Sequence, residues 1–87
     1  MAYRVIVTNP ARKQLLKLPD TIASRIEIVI DKLADTPRPH GIEVIKGMAD
    51  TYRVRVSDYR VMYTVHDDEV LILIIQVAHR REVYRKL

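Results

Sequence analysis

Three arginines in the middle of the chain have the spacing of a phosphate-binding surface. Residues 51–65 read Thr-Tyr-Arg-Val-Arg-Val-Ser-Asp-Tyr-Arg-Val-Met-Tyr-Thr-Val. Apolar and polar residues alternate on both sides of the Ser-Asp pair, which predicts two antiparallel strands joined by a two-residue turn. In that register Arg55 lies opposite Arg60, and Arg53 emerges on the same side of the sheet. Guanidinium groups gathered in this way are suited to binding phosphate oxygens.

The same alternation is also typical of an antiparallel sheet whose charged face contacts only water. A turn longer by one residue would move Arg60 to the opposite face and disperse the cluster. The other residues on this side of the sheet must therefore decide between a binding surface and a solvated one.

The last strand, predicted over residues 69–77, supplies apolar neighbours for these arginines. Its run from Val70 to Ile75 has no polar face, which is typical of a central strand covered on both sides. Pairing through the Asp-Asp turn at residues 67–68 predicts that four apolar side chains and His79 lie on the arginine side. The four are Leu71, Leu73, Ile75 and Val77. An apolar floor with a basic rim is the usual make-up of a binding cleft.

The end of the chain adds more groups of the same kind. His79, Arg80, Arg81 and Tyr84 follow the last strand closely. One interpretation is a charged, fraying tail. The alternative is a short helical turn, because the apolar spacing within residues 83–87 would let it pack on the sheet. That packing would hold the basic residues and the tyrosine near the strand ends.

The remaining elements must position these groups. We predict a strand over residues 2–7, a short helix capped by Asn9, and a second helix over residues 20–35 that stops before the Thr-Pro-Arg-Pro of residues 36–39. A further short strand is predicted at residues 43–45. The fold class is therefore α+β: a helical hairpin packed on one face of a small, mainly antiparallel twisted sheet, in the order β-α-α-β-β-β.

Composition narrows the function classes. The 87 residues predict one domain, 1–87, and the net charge of +4 favours an RNA, DNA or acidic protein partner. The chain has no cysteine, which excludes disulfides and thiolate zinc sites and fits a reducing cytoplasm. No apolar run is long enough to span a membrane. The scattered histidines lack metal spacing and the glycines form no phosphate loop, so we expect no metal and no cofactor.

Four segments together resemble the RelE branch of the RelE/ParE superfamily of bacterial toxins. They are Lys-Gly-Met at residues 46–48, Tyr-Arg-Val-Arg-Val at 52–56, Tyr-Arg-Val-Met-Tyr at 59–63, and His-Arg-Arg-Glu-Val-Tyr at 79–84. The resemblance covers nearly the whole chain. It implies a RelE-like fold and a toxin of a type II toxin–antitoxin system. It also implies a ribosome-dependent endoribonuclease, or mRNA interferase, that acts in the cytoplasm and cuts mRNA in the ribosomal A site.

The resemblance also implies partners and roles. The partners are the ribosome, mRNA and a RelB-like antitoxin, in a toxin–antitoxin hetero-oligomer. Attack of the RNA 2′-hydroxyl on the adjacent phosphate would need charge stabilisation from arginines, and a tyrosine could stack on a base or donate a proton. The implied catalytic residues are Arg53, Arg55, Arg60, Arg80 and Tyr84, with Arg81 as a neighbour able to exchange roles with Arg80.

The proton acceptor of this reaction stays open at the level of sequence. Relatives often have lysine where this chain has Arg53 and Arg55, and an arginine with a pKa above about 12 is no base near neutral pH. His79 is a candidate for proton transfer or RNA contact because its ordinary pKa is suitable, although a strand-end histidine often only fills space. Tyr84 is a further candidate.

Two other functions remain open. One is a ParE-like toxin of the same fold that binds DNA gyrase and leaves RNA uncut. The other is a non-catalytic basic module that binds nucleic acid or protein through its arginines.

Overall fold

A five-stranded sheet carries two helices on one face. The computed structural model describes residues 2–81. In chain order the elements are β1 (Arg4–Val7), α1 (Asn9–Leu16), α2 (Asp20–Asp35), β2 (Glu43–Val44), β3 (Thr51–Val56), β4 (Tyr59–His66), a 3₁₀ turn (Asp67–Glu69) and β5 (Leu71–His79). The predicted α+β class is confirmed, and so is the additional short strand. None of the described helices is long and apolar enough to cross a membrane.

The strands lie in the order β1-β5-β4-β3-β2. Strand β1 is parallel to β5, and the other three pairs are antiparallel. Strands β1 and β2 are therefore the two edges of the sheet, and the two helices between them carry the chain from one edge to the other. Strands β3, β4 and β5 are the three inner strands of the sheet. The arginine-bearing strands β3 and β4 are therefore paired on both sides, which fixes their positions.

The helices form where the sequence predicts them, with one difference at the first N-terminus. Helix α1 begins at Asn9, so Thr8 and not Asn9 is its N-cap residue. The Thr8 hydroxyl does not cap the helix but donates to the carbonyl of Ile74 at 2.8 Å, which ties the start of α1 to β5. Helix α2 spans the predicted residues and ends before Pro37, since proline cannot continue a helix.

The core lies between the helices and one face of the sheet. Helix α2 buries Ile26, Ile30 and Leu33 along one stripe, as its apolar spacing predicts. The sheet contributes alternate residues of its inner strands, because successive strand side chains point to opposite faces. These are Val56, Val61, Tyr63, Val65, Ile72, Ile74 and Val77. We call this side the helix face and the opposite side the arginine face.

A side chain from α1 completes the hydrogen bonding of β5. Strand β1 pairs with β5 only as far as Val7 opposite Ile74. Beyond that point the backbone N–H of Val77 donates to the side-chain oxygen of Gln14 at 2.7 Å. An unpaired N–H here would cost free energy, so α1 extends the edge that β1 leaves open.

Candidate active site

The β3–β4 hairpin has the predicted register. Arg55 lies opposite Arg60, and Arg53 lies opposite Met62. The turn residue Ser57 has φ 57°, a left-handed conformation that lets a two-residue loop reverse the chain. The prediction that Arg53, Arg55 and Arg60 share one face is therefore confirmed.

The side chains of two of these arginines are largely buried, and the third is exposed. The side chain of Arg53 is 14% exposed and that of Arg60 is 11% exposed. Arg55 is exposed at the hairpin end, where its Nε donates to the carbonyl oxygen of Ser57 at 3.2 Å. The cluster therefore has a covered part and an open rim.

Glu43 faces both of the covered arginines. It lies opposite Arg53 in the β2–β3 pair, so its side chain emerges on the arginine face. Its Oε2 is 2.9 Å from Nη2 of Arg53, and its Oε1 is 3.8 Å from Nε of Arg60. The hydrogen bond from Arg53, together with the positive charges of both arginines, holds the pKa of the Glu43 carboxyl below its ordinary value. Sequence reasoning missed this residue because its role depends on the pairing of a two-residue strand.

Two guanidinium nitrogens in the cluster are buried and have no hydrogen-bond acceptor among the described residues. They are Nε of Arg53 and Nη1 of Arg60. A buried donor without an acceptor costs about 1–3 kcal/mol, and more when it carries charge. An anion with several acceptor oxygens, such as phosphate, would remove this cost if the side chains that cover the two nitrogens moved aside on binding.

The neighbouring strand supplies only part of the predicted apolar floor. Leu71 and Leu73 lie opposite His66 and Thr64, on the arginine face as predicted. A bulge then interrupts the pairing: Tyr63 lies opposite Ile74, and Met62 lies opposite Gln76. One extra residue on β5, Ile75, is inserted there, and every later side chain is reversed.

The prediction that Val77 and His79 share the arginine face is therefore wrong. Val77 is part of the core. His79 lies opposite Tyr59, and the two rings meet edge to face with centroids 5.3 Å apart. Since Tyr59 packs against the core, His79 points toward the helix face. In place of these two residues the arginine face receives Gln76 and Ala78 from β5.

The prediction of a central strand is confirmed, since β5 lies between β1 and β4. The described helices pack only on the helix face, and on the arginine face Leu71 and Leu73 are partly buried. The strand begins two residues later than predicted, at Leu71, because Asp67–Glu69 forms a 3₁₀ turn and Val70 follows in a left-handed conformation.

The start of the C-terminal segment lies at the same end of the sheet as the arginines. The backbone N–H of Arg80 donates to the carbonyl of Asp58 at 2.8 Å, which joins the end of β5 to the hairpin turn. Arg80 and Arg81 are exposed and have helical backbone conformation. Tyr84, the remaining predicted site residue, lies outside the described residues.

A second polar cluster, absent from the sequence predictions, fastens the loop after α2 to the sheet. Arg38 donates to both carboxylate oxygens of Asp67, at 3.2 and 2.9 Å, and its Nε donates to the hydroxyl of Tyr52 at 2.8 Å. Tyr3 donates to the same carboxylate at 2.7 Å. The hydrogen bond from Arg38, followed by that from Tyr3, lowers the pKa of Asp67. This cluster lies at the end of β4 away from the hairpin turn, so it holds the fold and does not join the arginine cluster.

Within residues 2–81 no group of three His, Cys, Asp or Glu side chains could hold a metal ion. The chemistry that the described site offers is phosphate binding by guanidinium groups, with one carboxylate between them.

Known proteins resemble the chain over nearly its whole length. A family model, the ParE toxin of type II toxin-antitoxin system, parDE, matches residues 5–84. Toxin RelG of Mycobacterium tuberculosis is 33% identical over 87 residues, covering 99% of this chain and 100% of that protein. The mRNA interferase toxin RelE of Escherichia coli is 31% identical over 88 residues, covering 97% of this chain and 92% of that protein.

Solved structures agree with these sequence relatives. The toxin in the crystal structure of the archaeal RelE-RelB complex from Pyrococcus horikoshii matches with a TM-score of 0.82 at 32% identity, covering 92% of this chain and 97% of that one. The resemblance predicted from the four segments is confirmed. The chain belongs to the ParE toxin family of type II toxin–antitoxin systems and is a RelE-type toxin of the RelE/ParE superfamily.

Proposed function

We propose that this chain is a ribosome-dependent endoribonuclease that cuts mRNA in the ribosomal A site and so stops translation. The observation that carries the proposal is the cluster of Arg53, Arg55 and Arg60 on one face of the β3–β4 hairpin. Support also comes from the Escherichia coli relative, which is an mRNA interferase by name. The reaction is attack of the RNA 2′-hydroxyl on the adjacent phosphate, and it needs no metal ion.

In this mechanism the arginines bind the scissile phosphate and stabilise its developing charge. Arg53 and Arg60 hold guanidinium donors beside the phosphate, because strand pairing keeps both side chains on the arginine face. Such preorganised donors stabilise charge better than water does, since little has to reorient during the reaction. Arg55, on the exposed rim, neutralises a neighbouring phosphate.

The C-terminal residues extend the same site. Arg80 follows β5 at the hairpin end and adds positive charge there, with Arg81 beside it. Tyr84 stacks on a base or donates a proton to the leaving oxygen. Both roles rest on the resemblance to the RelE branch.

The partners of the proposed activity are the ribosome, mRNA and a RelB-like antitoxin in the cytoplasm. The Pyrococcus horikoshii relative was crystallised with RelB, which supports an antitoxin partner for this chain. We expect a toxin–antitoxin hetero-oligomer in which the acidic partner covers basic surface.

The test is to map mRNA cleavage on programmed ribosomes with wild type, Arg60→Ala and Arg25→Ala. Arg25 is exposed on α2, so its removal takes away the same charge far from the arginine face. We expect Arg60→Ala to slow cleavage by roughly 100-fold or more, by analogy with loss of one oxyanion donor, and Arg25→Ala to cleave normally. Circular dichroism checks that both variants fold. Equal cleavage by Arg60→Ala and wild type would remove Arg60 from the site.

The family model names ParE toxins, so the second candidate function is a toxin that binds DNA gyrase. The same purified protein decides between the two. Inhibition of supercoiling with intact ribosome-bound mRNA would establish the ParE-like function. Binding of RNA without cleavage or gyrase inhibition would leave a basic binding module.

A further inference from the structure

Attack by a 2′-hydroxyl requires a group that takes its proton, and the arginines cannot be that group. The bulge in β5 turns His79 toward the helix face, away from the phosphate-binding arginines. Of the candidates identified from sequence, only Tyr84 is then left, and it lies outside the described residues.

We infer that Glu43 is the proton acceptor of the cleavage reaction. This inference rests on the proposed function and identifies a further catalytic residue within the same site. Glu43 is the carboxylate that contacts both covered arginines, with Oε2 2.9 Å from Arg53 and Oε1 3.8 Å from Arg60. A phosphate bound by those two guanidinium groups would lie within reach of the Glu43 side chain.

Exposure supports a role toward a ligand. The side chain of Glu43 is 53% exposed, whereas the side chains of the two arginines it contacts are 14% and 11% exposed. The carboxylate therefore lies at the mouth of the cluster and the guanidinium groups form its floor. RNA entering from solvent would meet the carboxylate beside the sugar while its phosphate reaches the arginines.

The charges that face Glu43 keep it in its basic form. They come from Arg53 on β3 and Arg60 on β4, and they lower its pKa. The carboxylate is therefore ionised at neutral pH and can accept a proton. A lowered pKa makes the group a weaker base, but it holds the acceptor within hydrogen-bond reach of the site, and geometry is the first requirement for such a group.

The step balances without any additional reactant. The 2′-hydroxyl proton passes to a carboxylate oxygen of Glu43 as the 2′-oxygen forms a bond to phosphorus. The bond from phosphorus to the 5′-oxygen breaks, and that oxygen takes a proton from solvent or from a tail residue. The products are a 2′,3′-cyclic phosphate and a 5′-hydroxyl end, and Glu43 then releases its proton to water. The 3.8 Å contact with Arg60 is the weaker of the two, so Oε1 is the oxygen free to accept.

A competing role has the same geometry. Glu43 could be only a counter-ion that fills the phosphate position until RNA displaces it. Removing its charge would then tighten RNA binding and speed cleavage, whereas removing a proton acceptor slows cleavage. The two roles therefore predict opposite signs.

The experiment measures single-turnover cleavage on programmed ribosomes with wild type, Glu43→Gln, Glu43→Ala and the control Glu27→Gln. Glu27 is exposed on α2, away from the arginine face. We expect Glu43→Gln to cleave about 10²–10⁴-fold more slowly and Glu27→Gln to match wild type. Gln keeps an oxygen that can accept the Arg53 hydrogen bond, and thermal unfolding checks that the fold is retained.

Two further readouts separate proton transfer from a structural effect. Between pH 6 and 8.5 the wild-type rate should be flat, whereas the Glu43→Gln rate should rise tenfold per pH unit, because hydroxide must then remove the proton. Added acetate should partly restore cleavage by Glu43→Ala, and chloride at equal ionic strength should not.

The other possible outcomes would overturn either the role of Glu43 or the proposed function. Cleavage by Glu43→Gln at the wild-type rate or faster would overturn the inference and favour the counter-ion. A slow Glu43→Gln variant with a flat pH profile would also overturn it. Wild type that cuts no mRNA would instead refute the proposed function itself, whatever the variants do.

Discussion

Tyr63 carries a hydroxyl group into the core, and its removal has an effect that can be worked out from the structure. The residue is 0% exposed, and its hydroxyl donates to the carbonyl of Pro37 at 2.8 Å. Its ring lies against Tyr52 with centroids 5.7 Å apart. The hydrogen bond fixes the loop after α2 to β4. Burial raises the pKa of Tyr63 to about 12.

Tyr63→Phe keeps the ring and removes only the hydroxyl. The lost hydrogen bond leaves the Pro37 carbonyl without this donor, which we expect to cost about 1 kcal/mol at pH 8. In a domain of this size such a loss lowers the Tm by about 4–8 °C. Urea unfolding followed by circular dichroism measures the difference directly.

The same difference should change sign at alkaline pH. The folded state holds Tyr63 neutral, so its full stabilisation is present below the ordinary tyrosine pKa of about 10 and is lost as pH rises toward 12. The loss is about 1.4 kcal/mol per pH unit in this window and at most about 2.7 kcal/mol in total. The Phe variant has no such loss, so the two stability curves should cross near pH 11.

Subtracting the variant from wild type cancels every other group that titrates in both proteins. A stability difference that stays constant from pH 9 to 11.5 would refute the claim that burial holds the Tyr63 hydroxyl neutral. If Tyr63→Phe were as stable as wild type at pH 8, the free energy assigned to the Pro37 hydrogen bond would be refuted.

Two other predictions concern the turn between β4 and β5. Val70 has φ 51° and ψ 50°, a left-handed conformation that a β-branched residue adopts at a cost of roughly 1–2 kcal/mol. Val70→Asn should therefore raise the urea midpoint, and an unchanged or lower midpoint would show that the site is not strained. The lowered pKa of Asp67 means that its contacts with Arg38 and Tyr3 stabilise the fold above the unfolded pKa of about 4 and are lost as pH falls below it. Asp67→Asn should be less stable than wild type at pH 7, with the gap closing in acid; a gap that persists at pH 2 would contradict this.

The alternation of residue types was sufficient to predict which hairpin side chains share a face of the sheet. Arg55 opposite Arg60 follows from alternation and a two-residue turn, and both features can be read from local residue types. The bulge at Ile75 could not be read in this way, since a continuous apolar run carries no mark of where one residue is left unpaired. His79 was therefore assigned to the wrong face, although its position at the strand end was correct.

Glu43 could not be found from sequence for a different reason. Its position depends on β2, a two-residue strand whose own pattern is too short to define a face. Only the pairing with Arg53 shows that the carboxylate and the arginine share a side of the sheet. Long-range register of this kind is a property of the folded chain and not of any local segment.

The turn that precedes β3 is what fixes that register. Gly47 has φ 82°, a conformation that side-chain-bearing residues rarely adopt. It lets the chain reverse so that the N–H of Ile45 donates to the carbonyl of Thr51 at 3.0 Å. This closing hydrogen bond aligns Glu43 with Arg53, and a slip of one residue would replace the carboxylate with the side chain of Val44. The Lys-Gly-Met segment therefore contributes to the site through its glycine, which together with Asp50 (φ 50°) gives the turn two left-handed residues and so helps to set whether a carboxylate or an isopropyl group faces the arginines.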